Sequence, residues 1–384
     1  MRIIMVRTTK VLAKFISCLF LLLHFHHLTA STTTIERLKQ EHRNFPNPFL
    51  IPNQPLCPSD ALKIVTALPL PPGNLDVHGE RLFFTFHPAA KHESSPDLPN
   101  VAVTTTAGGH FEAYPSMADQ NQWVSVLGLR VCADQLWLLD HADLGGHKDK
   151  RPSLFQIDLA TNKIVYKYEF TKDEAKGMLN DIVCSSDGRQ IYVADAGIST
   201  ENYAIIHFDA ITKTAHRHLG NHPSTQPMDL VPIIGGEIPF DMPWKVGVDS
   251  IALCQDDLVY SSVYATHFWK IARTELGTAE PVPFGKPISK TVSDGIVCDK
   301  EGRIYVTDFE HFALSVTSAD GNKVQTLVED RSLLRWPDGI TLKKGTIFIS
   351  SSAIHEVVAG DHHKNAPFHI VSLDLGLCGE KVQL

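Results

Sequence analysis

Six copies of one strand–turn–strand pattern predict an all-β chain, a six-bladed β-propeller closed by an N-terminal strand. The clearest copy, SDGIVCDKEGRIYVTD at 293–308, opens with a polar and a small residue and continues into a short apolar run. A turn with a charged residue and glycine follows, then a β-prone run that ends in a polar residue. The pattern is echoed by PDGITLKKGTIFISSS from 337, VDSIALCQDDLVYSSV from 248, LNDIVCSSDGRQIYVAD from 179, GLRVCADQLWLLD from 128 and GNLDVHGERLFFTFH from 73. Their spacing, roughly 45–70 residues, suits one four-stranded blade each. No helical pattern of any length competes with these strands after residue 45.

The 384 residues are 43% hydrophobic and 20% charged, enough for a large core, with a net charge of −8. No basic block stands outside the first fourteen residues, so the clustered Lys and Arg of a nucleic-acid footprint are missing. Residues 1–30 read as a signal peptide: Arg2, Arg7, Lys10 and Lys14 give a cationic start, Phe15 to Phe25 is mostly apolar, and Ala30 offers the cut. The apolar run is shorter than the roughly 20 residues of a membrane span. The expectation is a secreted, extracellular chain with no membrane contact after cleavage. Residues 31–60 are a Pro-rich lead-in, and residues 61–384 form the propeller.

The isolated apolar strand ALKIVTALPL at 61–70 has no hairpin partner. Pairing it with the chain's last strands closes the ring. SLFQIDLATNKIVYKYEF and AIIHFDAITKTAHRHL are the outer hairpins after the second and third copies, and Asp320-Gly321 turns the one after the fifth. A Pro- and Gly-rich insertion at 219–247 carries Met228, Met242 and Trp244, and insertions of this size in a repeat gather on the binding face.

Cys18 leaves with the signal peptide, which leaves six cysteines in a compartment that permits disulfides. Cys57 and Cys378 bracket the closing strand and the last strand, and are expected to be bonded. Cys132, Cys184 and Cys298 occupy one place in their copies. Equivalent places in successive blades are expected to lie too far apart for an S–S bond, so these read as buried thiols, with Cys254 ambiguous.

The residues that open the inner strands should ring one mouth of the central channel. They are Asn74, Asn180, Asp249, Asp294 and Asp338, with Gly128 in the second copy. Amide and carboxylate oxygens are the donors calcium favours, and converging carboxylates call for a cation or basic ligand. The alternative is that they only cap the turn entering each strand. His355-Glu356 fails as a zinc motif because position 359 is Ala, and none of the twenty histidines pairs with another at ligand spacing. His87 and His141 follow strands close to the channel.

FEAYPSMADQNQWVSVLGLRVCADQLWLLDHA, LNDIVCSSDGRQIYVADAG with AIIHFD after it, and VDSIALCQDDLVYSSVYATHFWKI resemble signature blocks of the major royal jelly protein/yellow family. The resemblance covers roughly residues 70–375 and implies a secreted six-bladed propeller. Members include pigmentation proteins linked to dopachrome conversion, nutritive jelly proteins and salivary binders of biogenic amines. More distantly, the repeats resemble the senescence marker protein-30/gluconolactonase group. There a metal is held by a first-blade Glu, middle-blade Asn residues and the Asp of a DG dipeptide. Asn180 and Asp294 match; Asp249 stands where an Asn is usual, and Asn74 where the Glu is usual.

Three functions follow as expectations. The first is a propeller that binds a small cationic or aromatic molecule through Asp249, Asp294 and Asp338 with Trp244 as a cover. Dopachrome-conversion-like turnover there would use Asp294 or His141 as base. The second is a calcium-dependent gluconolactonase-type hydrolase with Asn74, Asn180, Asp249 and Asp294 on the Ca2+. The third is a structural or nutritive protein without turnover. The sequence leaves the oligomeric state open.

Overall fold

The computed structural model describes residues 54–90, 98–142, 150–198, 200–230, 232–235, 245–286, 289–358 and 366–382. The expected signal peptide, most of the lead-in and Trp244 lie outside the described residues. Six four-stranded antiparallel sheets make the six blades. The inner strands are Pro72–His78, Val126–Cys132, Leu179–Cys184, Val248–Cys254, Ser293–Cys298 and Pro337–Lys343.

The second strand of each blade is packed against neighbouring blades on both faces, which is why it reads as an apolar run. Thus Leu82, Phe83 and Phe84, or Leu136, Trp137, Leu138 and Leu139, are fully buried in succession. The outer strand Lys163–Glu169 instead alternates exposed and half-buried residues, as KIVYKYE requires. Cores form between blades: Trp137, Leu139 and Leu154 of the second pack on Ile182, Val193 and Phe208 of the third. Trp137 meets Phe208 edge-on at 5.9 Å.

The N-terminal strand Leu62–Leu68 closes the ring by pairing antiparallel with Phe368–Asp374, from Leu62 opposite Leu373 to Leu68 opposite Phe368. The Cys57–Cys378 bond pins that closure, with Cα atoms 4.6 Å apart. The lead-in also docks on the fifth blade, where Cys57 N–H donates to the Leu327 carbonyl at 2.8 Å.

The other four cysteines correct the sequence reading. They are not thiols: Cys132 bonds Cys184 and Cys254 bonds Cys298, with Cα separations of 6.0 and 5.4 Å. Inner strands converge on the axis, so equivalent positions in adjacent blades approach within disulfide reach, where those farther out do not. Each bond ties neighbouring inner strands at the end away from the polar ring.

Every inner strand slips register just after it starts, at Leu179/Ile182, Ser293/Ile296, Pro337/Ile340, Pro72/Leu75, Val126/Leu129 and Val248/Ser250. A bulge there re-aims side chains and leaves backbone groups unpaired. Hydroxyls of the second strands take them up. Thr85 accepts from Asn74 N–H at 3.0 Å, Thr307 from Gly295 N–H at 2.8 Å and Ser350 from Gly339 N–H at 2.9 Å. The glycine after Asp338 has a separate cause: a Cβ on Gly339 would stand 2.8 Å from Asn74 Cα.

Three of the second strands end in carboxylates that fasten neighbouring segments. Asp140 accepts from Val124 and Ser125 N–H at 2.8 and 2.9 Å, and Asp195 pairs with Arg217 at 2.5 Å. Asp308 holds His311, whose Nδ1 lies 2.8 Å from both carboxylate oxygens. Burial opposes the imidazolium, but the bond and charge of Asp308, with Glu310 and Glu329, outweigh it and raise the pKa to about 9.

Two outcomes test this architecture. Replacing Cys57 and Cys378 together by Ser should lower unfolding free energy by about 3–5 kcal/mol, read from urea midpoints, because the bond closes most of the chain. A folded pKa above the ordinary value near 6.5 makes the His311–Asp308 contribution full below about pH 6.5 and absent once pH passes about 9. The Tm difference between wild type and His311→Gln should therefore shrink steadily across that window; a difference independent of pH would refute the ion pair.

Candidate functional site

The bulges turn the residues that open the inner strands toward one another at one mouth of the channel. Asn180 Nδ2 donates to Asp249 Oδ2 at 2.5 Å. Burial, then the charges of Asp294, Asp181 and Asp338, push the Asp249 carboxyl well up. Asp338 is raised well above the carboxylate range by burial and then by Asp294 and Asp181. Asp294 reaches about 6: burial raises it, the Trp336 indole N–H donating to Oδ2 at 2.7 Å pulls the other way, Asp181 raises it and Lys290 lowers it. Asp249, Asp294 and Asp338 thus stand in one electrostatic neighbourhood, and among the described residues none of them forms an ion pair.

Asn74 is turned elsewhere. Its Nδ2 donates to Asp181 Oδ1 at 2.6 Å and its Oδ1 accepts from Leu75 N–H at 2.8 Å. Of the four residues expected on calcium, Asn180, Asp249 and Asp294 face one another while Asn74 is engaged with Asp181. Asp181 in turn acts on Asp249, Asp294 and Asp338, so Asn74 meets the same acidic neighbourhood through it; among the described residues no three His, Cys, Asp or Glu side chains are gathered as a metal site.

Sequence reasoning missed Asp181 and Arg130. Asp181 is the second residue of its bulge, which turns it inward beside Asn180. Arg130 crosses the channel from the second blade: Nε donates to the Ile182 carbonyl at 3.1 Å, one terminal nitrogen to the Ile340 carbonyl at 3.1 Å, and the other meets Asp181 at 3.4 Å. Burial raises Asp181 despite this cation. Lys290 is fully buried, donates to the Ser262 and Ala265 carbonyls at 3.1 and 2.8 Å, and is pushed down to about 7 by burial against the pull of Asp308, Glu310 and Asp294.

An apolar layer lies at the same end of the blades: Tyr264, Phe309, Phe312 and Trp336, with Ile234 and Val246 from the long insertion. Trp336 stacks on Phe309 with centroids 4.0 Å apart, and His355 lies 5.8 Å away on the stack. The insertion is fastened here by Ile233 N–H donating to Glu310 Oε1 at 2.7 Å and Met228 N–H to the Tyr264 carbonyl at 2.7 Å. Sequence reasoning also missed Trp336, although its place just before an inner strand is the signal that marks a mouth residue.

His141 is buried just after the second blade's second strand, and its Nε2 has no hydrogen-bond partner among the described residues. Burial drives its pKa down to about 4 against the pull of Asp140, and the pKa of His87 falls to about 3 through burial and then His141. Both are neutral imidazoles at physiological pH. No helix among the described residues is long and apolar enough to cross a membrane.

A calcium-binding regucalcin of Agrobacterium tumefaciens superposes with a TM-score of 0.54 at 14% identity, over 83% of this chain and 94% of that one. A luciferin-regenerating enzyme gives 0.50 at 11% identity over 81% and 91%. At these identities the likeness is one of fold. No curated protein matches the chain. The profile of the major royal jelly protein family matches residues 124–378, from the strand before the Trp137 block to Cys378. The chain belongs to the major royal jelly protein family.

Proposed function

We propose that this chain is a secreted yellow-like propeller that binds a small aromatic amine at the channel mouth. The observation that carries the reading is the buried set Asp249, Asp294 and Asp338: the charge of Asp294 raises the pKa of both Asp249 and Asp338, Asp181 raises all three, and among the described residues none of the three forms an ion pair. A bound ammonium ion relieves that repulsion, and carboxylates bind it by charge-assisted hydrogen bonds. The aromatic layer of Tyr264, Phe309 and Trp336 at the same end suits a flat ring attached to the amine. Secretion is supported by the family and by three disulfides.

Turnover of a dopachrome-like compound is a further step. It needs a proton acceptor, and unprotonated His141, or Asp294 above pH 6, has the right state. Calcium on Asn74, Asn180, Asp249 and Asp294 is the competing reading and leads to a hydrolase; a nutritive protein binds neither.

Calorimetric titration with tyramine and, separately, with calcium decides among these. The expected result is saturable tyramine binding, weakened about tenfold or more in Asp294→Asn, and falling as pH is lowered through about 6, where Asp294 takes up a proton. Calcium binding without amine binding would replace the proposal with the hydrolase reading, and no binding of either would leave the nutritive one.

A further inference from the structure

We propose that the outer half of the third blade carries a transition-metal site, formed by His207, His216 and His218 and suited to a zinc or copper ion. The strands Ala204–Asp209 and Thr214–His218 run side by side, and their register sets His207 directly opposite His216. His218 is two residues on, so all three side chains share one face of the sheet. This register is what hides the site along the chain, where His207 is far from ligand spacing to the other two.

The rings are already neighbours. The centroid of His218 lies 6.4 Å from that of His207 and 6.4 Å from that of His216. Two imidazoles on one tetrahedral zinc have centroids roughly 5 Å apart, given Zn–N bonds of about 2 Å. As they stand the three are not gathered into a ligand set. Closing the difference requires rotation of His216, which is exposed, and of His218, which is half-buried.

His207 is held in the state a ligand needs. Its Nε2 is hydrogen-bonded to Gln190 Oε1, and Gln190 Nε2 donates to Asp209 Oδ2 at 3.1 Å. The Asp209 contact fixes the amide, its oxygen can only accept, and so His207 Nε2 carries the proton and Nδ1 keeps its lone pair. A carbonyl oxygen behind the far nitrogen is the usual support of a metal-bound histidine. Tyr192 stacks on the ring at 5.1 Å and keeps its plane. Neither His216 nor His218 has a hydrogen-bond partner among the described residues, so their nitrogens are uncommitted. His218 rests over Gly277, where a Cβ would stand 2.6 Å from its Nδ1. Burial, then the neighbouring imidazoles, lowers the pKa of His218, and burial lowers that of His207 against the pull of Asp209. Both shifts favour the uncharged imidazole, the form that binds metal. Imidazole donors without carboxylates in the set favour zinc or copper over calcium.

The test is calorimetric titration of the chelator-treated, full-length mature protein with zinc chloride at neutral pH. One saturable site is expected, lost when His216 and His218 are both replaced by Ala and weakened about tenfold or more in Gln190→Ala. Asp294→Asn, which disturbs only the channel, should leave zinc binding unchanged, so the outcome is independent of the amine reading. Near-UV circular dichroism confirms that each variant is folded. A protein without a saturable zinc site, or one whose zinc site survives the double substitution, overturns the proposal, since other histidines would then hold the ion.

Discussion

Closing six sheets around one axis brings the first residues of the inner strands closer together than their chemistry alone would allow. Three of those residues are aspartates, and a fourth carboxylate, Asp181, is turned in beside them by its bulge. Much of what surrounds them answers that crowding. Arg130 spans the channel to Asp181 and to two carbonyls of other blades, Lys290 is buried near Asp294, and the Trp336 indole steadies one Asp294 oxygen. Burying charges in this way is costly unless each finds a partner. Arg130 is committed to Asp181 and Lys290 to the Ser262 and Ala265 carbonyls, so among the described residues Asp249, Asp294 and Asp338 have no ion-pair partner, and burial with mutual proximity raises their pKa instead.

The fold was legible because it repeats. Period-two runs separated by turn residues recur six times, and the one strand without a partner had one place to go. The same logic made Cys57 and Cys378 readable, because they flank strands that must pair. It failed for the other cysteines, since equivalence in sequence says nothing of distance from the axis, and only near the axis do neighbouring blades come within reach of a disulfide.

The site was legible in part. The ring of Asn and Asp residues follows from repeat alignment alone, while its partners do not. Asp181 is adjacent in sequence to Asn180 and so belongs to the opposite face of a regular strand; the bulge overrides that alternation. Arg130, inside an apolar strand, gave no sign of reaching across the channel to Ile340. Of the histidines of the third blade, His216 and His218 share a strand face by their spacing alone, while His207 joins them only through cross-strand register, which no linear motif encodes.

The mouth is also asymmetric, and this bears on what it binds. Its first three blades contribute Asn74, Gly128 and Asn180, with neutral His87 and His141 behind them; its last three contribute Asp249, Asp294 and Asp338. The aromatic layer leans the same way, since Tyr264, Phe309, Phe312 and Trp336 come from the fourth blade onward. Carboxylates and ring faces both attract a cation; Asp181 and Arg130, from the third and second blades, are paired with each other, and the imidazoles of His87 and His141 add no positive charge. A ligand with a charged end and a flat end would be oriented by such an arrangement, and in this the asymmetry of the blades, more than the number of acids, supports the organic cation proposed for this mouth.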